Sequence, residues 1–139
     1  MIIKQLSVFL ENKTGSINDV TRILGAAGIN MYAFSLAETA DFGILRLIVS
    51  EVDRAAQVLR DERFAVRQTD VVCFTCPNRP GALAAVLDVL AREQVFIEYM
   101  YAFSEGATAS VVIRPTDIAK CVETLGRNRG GLIDACTLG

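Results

Sequence analysis

Residues 6–15 read Leu-Ser-Val-Phe-Leu-Glu-Asn-Lys-Thr-Gly, and residues 72–81 read Val-Cys-Phe-Thr-Cys-Pro-Asn-Arg-Pro-Gly. Both stretches alternate as a strand does, and both end in an Asn-x-x-Gly turn. At the same shift of 66 residues, Val20 coincides with Val86. Past residue 40 the shift falls to 64, which indicates a deletion in a connecting loop. The chain is therefore predicted to be a tandem repeat of one module.

Each copy of the module predicts the same order of elements. After the first strand, Val20 and Leu24 contribute to one apolar helix face, and Gly28 suits a helix end with positive φ. Two strands (30–38 and 43–50, turning around residues 41–43), a short second helix and a closing strand (64–68) complete a βαββαβ order. We predict an α+β fold of two ferredoxin-like modules, residues 1–70 and 71–139.

The predicted sheets are antiparallel and carry their helices on one face. The strand over residues 43–49 is apolar on both faces except at Arg46, so its second face is expected to meet another module or subunit. With no linker at residues 69–70, we predict that the modules join side by side and that the protein is a homodimer. Tyr32, Phe34 and the aromatic stretch 99–103 are assigned to strand packing and dimer contact, and the lining of a pocket for an apolar ligand side chain is the alternative.

Composition excludes several classes of partner. The net charge is −2 without a basic cluster, which argues against nucleic-acid binding. No apolar run reaches the roughly 20 residues of a membrane span, and the N-terminus lacks a signal peptide, so we expect a cytoplasmic protein. Its four cysteines are then expected to be reduced, without disulfides. Cys73 and Cys76 point to opposite faces of a predicted strand, and the chain has no His, so no metal or cofactor is expected.

Catalytic signatures are also missing from the sequence. There is no His, no pair of carboxylates that recurs in both copies, and no Gly-rich phosphate loop. We therefore expect a protein that is not an enzyme.

The two Asn-x-x-Gly turns carry the strongest binding chemistry. Each precedes a helix whose first N–H groups and positive dipole end favour a carboxylate. Gly15 and Gly81 leave room for a ligand, and the amides of Asn12 and Asn78 offer a donor and an acceptor together. A free amino acid presents both complementary groups. An ordinary turn and helix cap is the alternative interpretation.

With Gly28-Ile29-Asn30 after the first helix, these openings resemble the ACT domain, a regulatory module of amino-acid metabolism. The resemblance covers the whole chain as two such modules. It implies side-by-side pairing, with an effector amino acid bound between modules. It also implies ligand contacts at the positions of Asn12, Thr14, Gly15 and Asn30 in the first module, and of Asn78, Pro80 and Gly81 in the second. Thr14 replaces the usual Pro, and Phe96 stands where a second Asn30 would align, so one complete site is expected rather than two.

The function indicated is a sensor that binds a free amino acid and regulates a partner enzyme or pathway. The alternative is a ligand-free assembly subunit that acts through protein–protein contacts. The sequence does not identify the amino acid.

Overall fold

The computed structural model describes residues 1–11, 13–38, 42–128 and 133–136. It divides into two compact units. The N-terminal unit holds residues 4–69. The C-terminal unit holds residues from Asp70 onward together with Met1–Ile3, a grouping that the repeat did not predict.

The N-terminal unit contains β1 (Ile2–Glu11), α1 (Ser16–Ala26), β2 (Met31–Glu38), β3 (Phe42–Val49), α2 (Val52–Asp61) and the first part of β4 (Ala65–Pro77). Its strand order is β2-β3-β1-β4, and β3 pairs antiparallel with both β1 and β2. The βαββαβ order predicted from periodicity is confirmed. The predicted turn at residues 41–43 falls partly outside the described residues.

One apolar cluster holds both helices of this unit against one face of the sheet. Its buried members come from β1, α1, β3 and α2, and include Leu6, Val20, Leu47 and Leu59. Alternation along β1 and the 3.6-residue period of the helices aim these side chains at a common layer, as predicted. The second face of the sheet is buried at Gln5, whose amide donates to Ser7 Oγ over 3.1 Å.

The C-terminal unit repeats the pattern. It contains the rest of β4, α3 (Ala82–Arg92), β5 (Ile97–Glu105), β6 (Thr108–Pro115), α4 (Ile118–Arg127) and the two-residue strand β7 (Asp134–Ala135). The strand order is β5-β6-β4, with β7 on the other side of β4. Phe74, Val86, Ile113 and Leu125 lie in its buried core. Met1 packs against this core, and its carbonyl accepts the Cys73 N–H over 2.7 Å.

Three helices are followed by a residue in the left-handed region. Gly28 (φ 72°) follows α1, as predicted, and the following N–H, that of Ile29, bonds back to the Leu24 carbonyl over 2.9 Å. Arg63 (φ 70°) follows α2 and Gln94 (φ 59°) follows α3, each with the same back-bond from the next residue. The last two carry side chains where glycine is the least strained choice.

The cysteines correct one prediction. We expected reduced thiols, but Cys73 and Cys136 form a disulfide, with Cα atoms 5.2 Å apart and a sequence separation of 63. Thr75 pairs with Asp134 and Phe74 with Ala135, so the same register sets Cys73 opposite Cys136. Cys76, by contrast, lies in the helix-side core and is free, which agrees with the opposite orientation predicted for positions 73 and 76.

Within the described part of the chain, none of the helices is long and apolar enough to cross a membrane.

Candidate functional site

The loop between β1 and α1 ends in a backbone conformation suited to ligand approach. Gly15 has φ 93° and caps α1 without a side chain to bond the first-turn N–H groups. Ser16 Oγ donates to the Glu11 carbonyl over 3.1 Å, which fixes the loop, and the Asp19 carboxylate is paired with Arg22. The positive end of α1 is thus presented by glycine backbone.

A cavity of about 510 Å³ opens beside this helix end. Thr14 and Gly15 lie on its wall, and Leu10, Ile17 and Leu36 give it an apolar side. Its volume lies within the roughly 300–1,000 Å³ of small-molecule pockets. We call it the Gly15 pocket.

Charged groups stand at the rim of the Gly15 pocket. Glu11 and Lys13 pair with each other over 3.4 Å. Glu38, at the end of β2, makes no ion pair with any residue that the structure describes. The pocket therefore combines a dipole end for a carboxylate, a carboxylate for an ammonium group and an apolar wall. The repeat pattern missed Leu36 and Glu38, because only tertiary structure brings β2 beside the loop.

Asn30 does not lie with Thr14 and Gly15. The Asn30 N–H donates to Ser50 Oγ, and the Asn30 carbonyl accepts the Ser50 N–H, both over 3.0 Å. The side chain of Asn30 is exposed just ahead of β2. The 11 residues of α1 separate it from Gly15, a distance of about 16 Å at 1.5 Å per residue. Asn12, the other predicted amide contact, lies outside the described residues.

In the C-terminal unit, Asn78 holds its own loop in place. Its backbone N–H donates to the Ala107 carbonyl over 2.8 Å, and its side-chain amide donates to the Gly106 carbonyl over 3.0 Å. Gly81 has φ 84°, as at Gly15, and Pro80 is exposed. The turn chemistry is therefore repeated, but here the Asn side chain bridges to the β5–β6 hairpin.

The two free cysteines, Cys76 and Cys121, are buried. Burial, and then the charge of Asp117, raise the pKa of Cys121 to about 11, and burial also raises the pKa of Cys76. A high pKa leaves the thiol protonated and a poor nucleophile. Among the described residues, no cluster of side chains has the composition to hold a metal ion.

The family of the chain follows from comparison with known proteins. Residues 1–136 match the family model described as the ACT domain pair. The chain is similar to the solved structure of protein BT0572 from Bacteroides thetaiotaomicron, with 52% identity and a TM-score of 0.91 over 97% of this chain and 93% of that chain. No curated protein sequence matches it.

Two regulatory subunits of aspartate kinase share the fold at low identity. The ligand-free subunit from Thermus thermophilus gives a TM-score of 0.66 at 11% identity, over 94% of this chain and 98% of that chain. The subunit from Thermus flavus gives 0.65 at 12% identity, over 91% and 94%. With the family model spanning both units and the βαββαβ order repeated in each, the chain belongs to the ACT domain pair family.

Proposed function

We propose that this chain is a non-enzymatic regulatory module of the cytoplasm that binds a free amino acid in the Gly15 pocket. The observation that carries the proposal is the pocket itself, a cavity with one apolar wall that is lined by a glycine-capped helix end and by Glu38. The solved relatives named as regulatory subunits of aspartate kinase have the same fold, which makes a partner enzyme of amino-acid metabolism the natural target.

The bound amino acid is oriented by three contacts. Its carboxylate lies at the N-terminus of α1, where the N–H groups of the first turn and the dipole stabilise negative charge. Its ammonium group faces Glu38. Its side chain packs against Leu10, Ile17 and Leu36, which favours an aliphatic residue.

Asn30 joins this site only from a second copy of the chain. It is about 16 Å from Gly15 along α1, yet the family resemblance assigns ligand contacts to both ends. Strand β2, which begins directly after Asn30, lies at one end of the strand order and exposes Tyr32 (41%) and Phe34 (62%). An exposed aromatic edge strand is a template for pairing with another strand.

The register of such a pairing brings the required residues together. If two β2 strands pair antiparallel around Phe34, residue 30 of one copy lies opposite residue 38 of the other. Residue 38 is Glu38, on the rim of the Gly15 pocket. The homodimer would therefore contain two equivalent sites, each with Asn30 supplied across the dimer interface.

Strand β5, at the other end of the strand order, is the weaker candidate for this contact. Its exposed positions include Glu98, Ser104 and Glu105. Charged and polar residues on an edge strand oppose pairing.

Subunit complementation tests the proposal. Glu38→Gln, on the pocket side, and Asn30→Ala, on the partner side, should each abolish stabilisation by the cognate amino acid, which is identified beforehand by thermal unfolding against all twenty. When the two variants are mixed, unfolded and refolded together, half of the dimers are mixed ones, and each mixed dimer regains one intact site. Calorimetry should then recover about a quarter of the wild-type binding capacity. No recovery, with dimers present, would show that the site does not cross between copies.

A ligand-free assembly subunit is the second candidate. The exposed β2 edge and Phe96 (67% exposed) in place of a second Asn favour it. It predicts that none of the twenty amino acids shifts the unfolding temperature, and that a partner enzyme co-purifies regardless of amino-acid concentration.

A further inference from the structure

A second cavity lies on the other side of the β1–α1 loop. It measures about 560 Å³ and runs between α1 and the segment that joins α2 to β4. Lys13 and Ser16 line both this cavity and the Gly15 pocket, so the loop forms a wall between them. Phe9, Ile23 and Phe64 give the second cavity, which we call the Arg63 groove, an apolar floor.

The charges in the Arg63 groove are balanced but not fully paired. Its acidic and basic side chains include two ion pairs, Glu11 with Lys13 and Asp19 with Arg22. Glu62 and Arg63 also line the groove, and neither side chain forms an ion pair with any residue in the described ranges. The wall of the groove therefore carries one carboxylate and one guanidinium that have no ionic partner among the described residues.

We propose that the Arg63 groove is a second ligand site, specific for a zwitterionic small molecule of the amino-acid class. The Arg63 guanidinium binds the carboxylate of the ligand through paired N–H donors. Glu62 accepts from the ammonium group, and the side chain lies on the floor formed by Phe9 and Phe64. A simple anion leaves Glu62 unsatisfied and a simple cation leaves Arg63 unsatisfied, so the zwitterion matches the groove better than either.

The backbone conformation of Arg63 allows a test that separates an effect on binding from an effect on stability. Its φ of 70° is a conformation that glycine adopts with less strain. Arg63→Gly should therefore raise the unfolding temperature while it removes the carboxylate anchor. Gln94 is the matched control, because it follows α3 in the same conformation (φ 59°) and lines neither the Arg63 groove nor the Gly15 pocket. Gln94→Gly should raise the unfolding temperature without any effect on binding.

The experiment is a ¹⁵N–¹H NMR titration of the wild type with each of the twenty amino acids. We expect at least one of them to shift the amide signals of residues 62–65 and Arg22, with the same shifts in Gln94→Gly. In Arg63→Gly the affinity at these signals should fall at least tenfold, whereas the signals of Leu36 and Glu38, which line the Gly15 pocket and not the Arg63 groove, report the Gly15 pocket separately. Arg63→Gln, which keeps the backbone conformation but not the charge, should lose the same affinity without the gain in stability.

Analogues of the bound amino acid test whether binding needs both charged groups of the ligand. For leucine these are 4-methylpentanoate, without the ammonium group, and 3-methylbutylamine, without the carboxylate, and each should bind at least tenfold more weakly than leucine. Full affinity of the carboxylate analogue would reduce the groove to an anion site and overturn the proposal. So would unchanged affinity in both Arg63 variants, or a panel in which no amino acid shifts residues 62–65. Absence of shifts at Leu36 and Glu38 alone would refute the function proposed for the Gly15 pocket and leave this one intact.

Discussion

Replacement of Cys136 by serine removes the only covalent link between β7 and β4. Strand β7 contributes two residues to the sheet, yet the neighbouring Ile133 is buried in the core of the C-terminal unit. The disulfide therefore keeps Ile133 in the core, because a strand of two residues forms very few backbone hydrogen bonds. We expect Cys136→Ser to destabilise the C-terminal unit strongly.

The magnitude follows from the loop that the disulfide closes. With a sequence separation of 63 between the two cysteines, the chain-entropy relation gives a loss of about 4 kcal/mol of stability at 25 °C. For a protein of this size each kcal/mol corresponds to roughly 3–4 °C in the unfolding temperature. The variant should therefore unfold roughly 12–16 °C below the oxidised wild type.

Thermal unfolding with and without dithiothreitol provides both the assay and its control. The reductant should lower the unfolding temperature of the wild type to that of Cys136→Ser and leave the variant unchanged. Thiol titration in denaturant without reductant should find two reactive thiols in the wild type, those of Cys76 and Cys121. Four thiols in an air-oxidised sample, or an unfolding temperature indifferent to the reductant, would refute the reasoning.

The other predictions concern the helix ends and the buried thiol. Gly15→Ala should destabilise the protein by about 1 kcal/mol because alanine is strained at positive φ. Gly25→Ala, inside α1 and open to solvent, should stabilise it by about 0.5–1 kcal/mol. Denaturant unfolding of both variants gives the sign of each change. Asn78→Ala frees the Gly106 carbonyl and should destabilise by about 1 kcal/mol, again read from denaturant midpoints. The pKa of Cys121 is raised from 9.0 to about 11 in the folded state. The protonated thiol therefore favours folding below pH 9, and this contribution should disappear between about pH 9 and 11 in the wild type but not in Cys121→Ala.

The spacing of hydrophobic residues predicted the order of helices and strands because it shows which face of each element is buried. Val20 and Leu24 fall on one helical face and Leu6 on one strand face wherever the rest of the chain goes, so the βαββαβ order could be predicted from sequence. Gly28 likewise predicted a positive φ at the end of α1. Gln94, at the equivalent position of the second copy, gave no such signal, because its conformation is imposed by the end of α3 and not by its side chain.

The features that escaped prediction depend on register between distant segments. Cys136 meets Cys73 only because β7 adds to β4, and a strand of two residues has no periodicity to detect. Glu38 likewise joins the Gly15 pocket through the pairing of β2 with β3. Binding chemistry at Gly15 could be anticipated from the turn, but the groups that would select a ligand could not.

The grouping of Met1–Ile3 with the C-terminal unit constrains the order of folding during synthesis. These residues are translated ahead of the rest of the N-terminal unit, yet the N–H that bonds Met1 belongs to Cys73, and the core beneath it is complete only when Ile133 has been translated. The N-terminal unit has all of its own strands much earlier. Residues 1–3 must therefore wait for the C-terminal unit to be translated before they can pack, and a tag fused at Met1 would disturb the C-terminal unit more than the N-terminal one.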